Sequence, residues 1–127
     1  MRGKRFRMGR NQTIGGWGEK LAAAYLIEKG CQLVDCNVRT PYGEIDVIVL
    51  DKGILVFVEV KTRTGPNFGY PEGAITPRKR IHLSDAAQYY LQEHSEIQAD
   101  WRIDVIAIRG KPGKSDPEII WFENAVN

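Results

Sequence analysis

Long apolar runs are absent from this sequence. No stretch reaches the roughly 18 consecutive apolar residues that a transmembrane helix needs. The N-terminus is basic but lacks the apolar segment of a secretory signal peptide. We therefore expect a cytoplasmic protein with no membrane partner.

Cysteine and histidine are scarce, with two residues of each. The spacing of Cys31 and Cys36 matches no zinc or redox motif, so we expect reduced, buried thiols rather than a disulfide or a metal site. His82 and His94 have no partner at ligand spacing, and we interpret each as a helix-surface residue rather than a catalyst. Internal repeats and low-complexity segments are also missing, which excludes repeat architectures.

The length and composition fit one globular domain, since 43% of the 127 residues are hydrophobic and 27% are charged. The net charge of +2 is unevenly distributed, with five basic residues near the N-terminus: Arg2, Lys4, Arg5, Arg7 and Arg10. The rest of the chain carries 13 basic and 16 acidic residues. We expect residues 1–12 to form a flexible basic arm and residues 13–127 to form a single domain. Such an arm either binds nucleic-acid phosphates or is a disordered, solubilising tail.

A central β-hairpin is predicted from two apolar segments, residues 45–50 and 54–60. Gly53 supplies the positive φ of the turn between them. A two-residue loop, Lys52-Gly53, makes every opposed pair apolar, which supports this register. The predicted pairs are Val47–Val58, Ile48–Phe57, Val49–Val56 and Leu50–Leu55.

Four charged residues are expected at one end of this hairpin. Continuing the register places Asp46 opposite Glu59 and Glu44 opposite Lys61. Like charges directly opposed destabilise a sheet, whereas a bound Mg²⁺ ion, which prefers carboxylate oxygen, would explain them. The alternative is a solvated strand end with a Glu44–Lys61 ion pair, which leaves Asp46 against Glu59 unexplained.

The remaining patterns predict two helices and three further strands. The helices cover residues 16–29, ended by Gly30, and residues 77–94, which begin after Thr76 as N-cap. The strands cover residues 31–38, 102–108 and 118–122, the last at a sheet edge. The order is typical of an α/β or α+β protein with a mixed sheet and helices packed on it.

Three features near the hairpin also suggest a binding function. Glu19 lies beside the buried face of the first helix, where it either complements the helix dipole or points into the site. The loop over residues 65–73 is rich in glycine, proline and aromatics, and loops of this kind hold substrates. Arg78 and Lys79 lie in the first turn of the second helix, which indicates either a nearby anion or a solvated basic turn.

Asp46, Glu59-Val60-Lys61 and Glu19 together resemble the signature of the PD-(D/E)XK nuclease superfamily. Further segments are similar to the uncharacterised bacterial YraN-type family: Gly18-Glu19, Asn37-Val38-Arg39, Gly43-Glu44-Ile45-Asp46, Arg102-Ile103-Asp104-Val105 and Glu123-Asn124-Ala125. The resemblance covers nearly everything after the arm. It implies a restriction-endonuclease-like three-layer α/β fold, with a mixed central β-sheet flanked by helices, similar to that of Holliday-junction resolvases.

The resemblance also implies roles for the matching residues. Asp46, Glu59 and the Val60 carbonyl would bind Mg²⁺ or Mn²⁺, and Lys61 would orient or activate the attacking water. Glu19 would match an acid used at a second metal or through water. The Gln-x-x-x-Tyr motif of some branches is missing, because Gln92 stands four residues after Gln88.

We therefore expect a metal-dependent endonuclease that hydrolyses phosphodiester bonds in DNA, including branched or structured DNA. The candidates for phosphate contacts are Arg39, Arg63, Arg78 and Lys79. A homodimer is expected if both strands of a duplex are cut. The alternatives are a non-catalytic nucleic-acid-binding module of a larger complex and a small protein-interaction domain.

Overall fold

The computed structural model describes residues 14–64, 76–114 and 116–126. The predicted basic arm and the predicted substrate loop at residues 65–73 lie outside these ranges. The elements are α1 (Ile14–Glu28), β1 (Gln32–Thr40), β2 (Gly43–Asp51), β3 (Ile54–Arg63), α2 (Pro77–Glu93), β4 (Trp101–Arg109) and β5 (Glu118–Val126). The predicted order of two helices and five strands is confirmed.

The five strands form one mixed sheet in the order β1-β2-β3-β4-β5. Neighbouring strands are antiparallel except β3 and β4, which are parallel and are connected through the segment that contains α2. As predicted, β5 lies at an edge. None of the helices within the described ranges is both long and apolar enough to cross a bilayer.

Two hydrophobic cores lie on opposite faces of the sheet, one under each helix. Val47, Val49 and Val56 pack with Ala22 and Leu26 of α1. The other core combines α2 with side chains that include Ile48, Phe57 and Ile103. The result is the three-layer arrangement of a restriction-endonuclease-like fold, which confirms the predicted fold class.

The hairpin of β2 and β3 has the predicted register, since all four apolar pairs form and Asp51–Ile54 closes the ladder. The turn residues Lys52 and Gly53 have φ values of 51° and 86°. Positive φ at both turn positions matches the right-handed twist of the flanking strands. The local sequence therefore determines this part of the sheet.

The signals at the helix ends, both cysteines and one of the two histidines are also as predicted. Gly30 follows α1 with a φ of 102°, and the Thr76 hydroxyl accepts a hydrogen bond from the Lys79 backbone N–H at 3.1 Å. Both cysteines are buried and form no disulfide bond, and His82 is exposed on α2. His94 differs from the prediction, because it caps α2 and its half-buried ring stacks on Tyr90 at 4.0 Å between ring centroids.

A buried carboxylate, Asp104, connects β4 with β5. It is 0% exposed and accepts hydrogen bonds from Arg102 Nε at 2.9 Å, Trp121 Nε1 at 2.9 Å and the Asn124 backbone N–H at 2.7 Å. Within the described ranges, no buried side-chain nitrogen or oxygen lacks a hydrogen-bond partner. These donors compensate for the desolvation of Asp104, which gives this acid a structural role.

Helix α1 approaches β3 very closely at Gly18. A Cβ atom at this position would lie 2.2 Å from the Thr62 Oγ1 atom, which is closer than any unstrained contact. Glycine at this position therefore lets the helix backbone lie against the strand. The same contact fixes the place of the next residue, Glu19.

We predict that Gly18→Ala lowers the free energy of unfolding by about 1–3 kcal/mol, because the added methyl group overpacks this contact. Urea denaturation measures the loss. In a Thr62→Ala background, where the hydroxyl is gone, the same substitution is expected to cost less. Equal losses in both backgrounds would show that Thr62 does not cause the strain.

Candidate functional site

Strands β2 and β3 separate at the charged end of the hairpin. Their paired stretch ends at Val47–Val58, so the predicted ladder pairs Asp46–Glu59 and Glu44–Lys61 are wrong. Beyond this point β2 stays paired with β1, and β3 stays paired with β4. We call the gap between Asp46 on β2 and Glu59 on β3 the fork.

Asp46 lies where the alternation of side chains along β2 is interrupted. Ile45 and Ile48 both pack in the core under α2, whereas regular alternation would place them on opposite faces. The Asp46 Oδ2 atom accepts a hydrogen bond from the Val60 backbone N–H at 2.8 Å. The carboxylate therefore replaces a strand-to-strand backbone bond and lies in the fork.

Glu59 reaches the fork from the α2 side of the sheet. Its neighbours Val58 and Val60 pack on the α1 side, so alternation directs Glu59 towards α2. The residue is only 5% exposed, and its Oε2 atom lies 3.2 Å from the Lys79 Nζ atom. A buried acid and a basic residue of the first turn of α2 are thus joined as an ion pair.

Glu19 reaches the same region from α1. Its Oε1 atom accepts a hydrogen bond from the Asn37 side-chain amide at 2.7 Å. Asn37 lies on β1 with a φ of 50°, a conformation that asparagine adopts more readily than most residues. Asn37 is not among the predicted site residues, although it belongs to a family motif, and its tolerance of positive φ is the only local signal for its role.

Burial and the nearby acidic charges raise the pKa values of Asp46 and Glu19. Burial and the nearby Glu59 charge raise the pKa of Asp46 to about 8, although the Val60 hydrogen bond opposes the shift. Burial also raises the pKa of Glu19, against the hydrogen bond from Asn37, and Glu44 adds to the rise. The predicted convergence of acidic groups at this end of the hairpin is therefore present, although the ladder pairs are not.

The other predicted site residues lie on elements that lead away from the fork. Lys61 is half-buried on β3 beside Ala107 of β4. Arg63 ends β3, and its guanidinium donates a hydrogen bond to the Thr62 carbonyl at 3.3 Å. Arg39 on β1 and Arg78 on α2 are exposed. The structure thus brings the acids into close interaction at the fork.

The number of carboxylates in the fork fits a Mg²⁺ site. Mg²⁺ is usually held by one or two carboxylates, with water and phosphate completing its shell. Asp46 and Glu59 could supply these two oxygen ligands. No group of three or more His, Cys, Asp or Glu side chains suited to a metal ion occurs in the described part of the chain. The fork therefore suits an ion that water and substrate help to bind.

Comparison of the sequence with known families gives a match over residues 18–108 to the uncharacterised protein family UPF0102. The chain belongs to this family. The UPF0102 protein of Syntrophotalea carbinolica is 42% identical over 106 residues, covering 84% of this chain and 86% of the relative. The UPF0102 protein of Syntrophomonas wolfei is 44% identical over 105 residues, covering 83% and 91%. The predicted YraN-type membership is thereby confirmed.

Among solved structures, the chain is similar to SfsA of Pyrococcus furiosus in complex with Ca²⁺. The sequences are 16% identical and the TM-score is 0.35. The match covers 88% of this chain and 62% of SfsA, so the chain spans less than two thirds of that protein. A likeness this weak has no bearing on function.

We predict that Asp46→Asn increases stability at pH 8 when a chelator removes divalent ions. The folded pKa of about 8 lies above the ordinary value of 3.8, so the native state binds the proton more tightly. Wild-type stability should fall as the pH rises from about 4 to 8, and Asp46→Asn should flatten this fall. At pH 8 we expect a gain of more than about 1.4 kcal/mol, the equivalent of one pKa unit.

Urea denaturation between pH 4 and pH 8 measures this effect, with Asp116→Asn as a control at an exposed loop residue. Adding Mg²⁺ should stabilise the wild type more than Asp46→Asn, because the substitution removes a charged ligand. Parallel pH profiles for the wild type and Asp46→Asn would contradict the repulsion between Asp46 and its acidic neighbours.

Proposed function

We propose that this protein is a metal-dependent endonuclease that hydrolyses phosphodiester bonds in DNA, including branched or structured DNA. The observation that carries the proposal is the fork, where the half-buried Asp46 and the buried Glu59 repel each other. A sequence selected for stability alone would avoid such a pair. A perturbed acid that interacts with specific charged partners is typical of functional sites.

In this proposal Asp46 and Glu59 hold Mg²⁺ or Mn²⁺, assisted by the Val60 carbonyl. Glu19 supports them from α1, where Asn37 orients its carboxylate. The bound ion would polarise the phosphoryl oxygen and lower the pKa of a bound water. Oxygen ligands alone suit these hard cations.

Lys61 is proposed to act on the attacking water and on the charge that develops at phosphorus. In hydrolysis the water oxygen bonds to phosphorus, one P–O ester bond breaks, and the departing sugar oxygen gains a proton. The Lys61 ammonium group can orient this water and stabilise the extra negative charge of the transition state. It lies two residues after Glu59, so alternation places both side chains on one face of β3.

Arg39, Arg63, Arg78 and Lys79 are the proposed contacts to backbone phosphates. Such contacts fix the position of DNA on a protein but carry no sequence information directly. We therefore expect recognition of DNA shape rather than of sequence. A homodimer would supply two forks for the two strands of a duplex.

The second candidate function is a non-catalytic nucleic-acid-binding module of a larger complex. Two observations favour it. Lys79 already neutralises Glu59 without any metal ion, and the described residues contain no group of three metal-binding side chains. In this case the basic residues would bind phosphates while the fork stays inactive.

We predict that Lys61→Ala reduces the single-turnover cleavage rate by about 100-fold, as expected when one stabilising group of a transition state is lost. DNA binding should change little, because a charge that acts on the transition state affects rate rather than ground-state affinity. The assay uses Mg²⁺ or Mn²⁺ with single-stranded, duplex, flapped and four-way-junction DNA. Lys52→Ala is the control, because Lys52 lies in the turn at the other end of the hairpin.

Metal-dependent cleavage by the wild type that is lost in Glu59→Ala and Lys61→Ala would support the nuclease. Tight binding by the wild type without cleavage of any of these substrates would favour the binding module instead. Neither binding nor cleavage would leave only the protein-interaction domain. Circular dichroism of each variant establishes that a loss of cleavage is not a loss of folding.

A further inference from the structure

We propose that Lys79 couples divalent-ion binding to nucleic-acid binding. In the absence of a divalent ion Lys79 neutralises Glu59, and when an ion takes this place the Lys79 ammonium group is released to bind a DNA phosphate. This inference rests on the proposed function, because it assumes that an ion and DNA bind at the fork.

Lys79 and Glu59 form an ion pair in which one partner is partly exposed and the other buried. The Lys79 Nζ atom lies 3.2 Å from the Glu59 Oε2 atom, and the two side chains are 43% and 6% exposed. A carboxylate as buried as Glu59 requires a nearby positive charge, because its desolvation is otherwise uncompensated. Lys79 meets this need in the described structure, and a divalent cation would meet it as well.

Lys79 has a fixed backbone and a flexible side chain. Its backbone is held at the start of α2, where its N–H group donates a hydrogen bond to the Thr76 hydroxyl at 3.1 Å. Its side chain is partly exposed and has a flexible four-carbon stem. The ammonium group can therefore leave Glu59 while the helix stays in place.

The released ammonium group would move into a cavity next to Lys79. A cavity of about 100 Å³ lies beside Lys79, and its lining includes Tyr42, Glu44 and His82. This volume is well above the roughly 10–15 Å³ that one water molecule needs, so the ammonium group has room on this side, beside the polar side chains of the lining. Glu44 is a competing partner there, and a DNA phosphate must displace it.

The charge of the first turn of α2 favours an anion at this position. The turn contains no acidic residue and places Arg78 and Arg80 beside Lys79. The partial positive charge of a helix N-terminus adds to these three cations. A phosphate relieves this repulsion once Lys79 no longer pairs with Glu59.

The coupling follows because one ammonium group cannot pair with Glu59 and with a phosphate at once. The ion competes with Lys79 for Glu59, and Glu59 competes with phosphate for Lys79. Ion and DNA therefore favour each other's binding, and the effect is reciprocal. An ion that contacts the phosphate directly would add a second coupling between ion and DNA binding. Only the portion of the coupling that is lost when Lys79 is replaced therefore tests the inference.

Titration calorimetry with MgCl₂ on the protein alone tests the competition. Lys79→Met, which removes the charge but keeps an unbranched side chain, should bind Mg²⁺ about fivefold more tightly than the wild type, the lower end of typical coupling between sites. Lys79→Arg keeps the positive charge and should resemble the wild type. Arg80→Met is the matched control, since it removes a charge from the same turn without removing the partner of Glu59.

A second measurement uses the wild type and so does not depend on a variant that folds. Reductive methylation followed by mass spectrometry measures the reactivity of single lysines. Mg²⁺ should increase the labelling of Lys79 and leave that of the exposed turn residue Lys52 unchanged. Fluorescence anisotropy with labelled junction DNA should then show a larger gain in affinity from Ca²⁺ in the wild type than in Lys79→Met.

The possible results separate the two proposals. The coupling would be overturned if the wild type and Lys79→Met bind Mg²⁺ with equal affinity, or if Mg²⁺ leaves the labelling of Lys79 unchanged. Either result would leave the nuclease proposal intact. If Mg²⁺ raises the labelling of Lys79 while the gain in DNA affinity from Ca²⁺ is equal in the wild type and Lys79→Met, the released ammonium group pairs with Glu44 instead of phosphate. This result would also overturn the coupling. If no variant binds Mg²⁺ or Mn²⁺, either alone or together with junction DNA, the nuclease proposal is overturned together with this one.

Discussion

The burial of like charges in the fork is the constraint on which the site depends. Glu59 is buried and Asp46 is half-buried at the point where β2 and β3 separate. The Val60 N–H group and the Lys79 ammonium group reduce the cost of this arrangement. The raised pKa of Asp46 shows that repulsion and burial still outweigh its hydrogen bond.

The fork exists because each of the two hairpin strands is also paired with its other neighbour in the sheet. Beyond Val47–Val58, where the hairpin pairing ends, β2 stays paired with β1 and β3 stays paired with β4. The helices then bring one polar residue each to the gap from opposite faces. Gly18 lets α1 lie close enough to place Glu19, and the N-cap of α2 fixes the backbone of Lys79.

Asp104 and Asp46 are two acids of one sheet with opposite surroundings. Asp104 is fully buried, yet Arg102, Trp121 and Asn124 all donate hydrogen bonds to it. Asp46 has one backbone donor and is surrounded by further acids. Burial alone therefore does not identify a functional acid, whereas the lack of positive compensation distinguishes Asp46 and supports its proposed role.

The sequence by itself determined the elements, the fold class and the hairpin register as far as Val47–Val58, because these depend on local turn chemistry and on the period of apolar residues. It also indicated which acids converge. Only the tertiary structure decided how they converge: the strands part at Asp46, Asn37 holds Glu19, and Lys79 pairs with Glu59. The residues of each such pair are at least 18 positions apart in the sequence, and no local pattern specifies contacts that depend on how helices dock on a sheet.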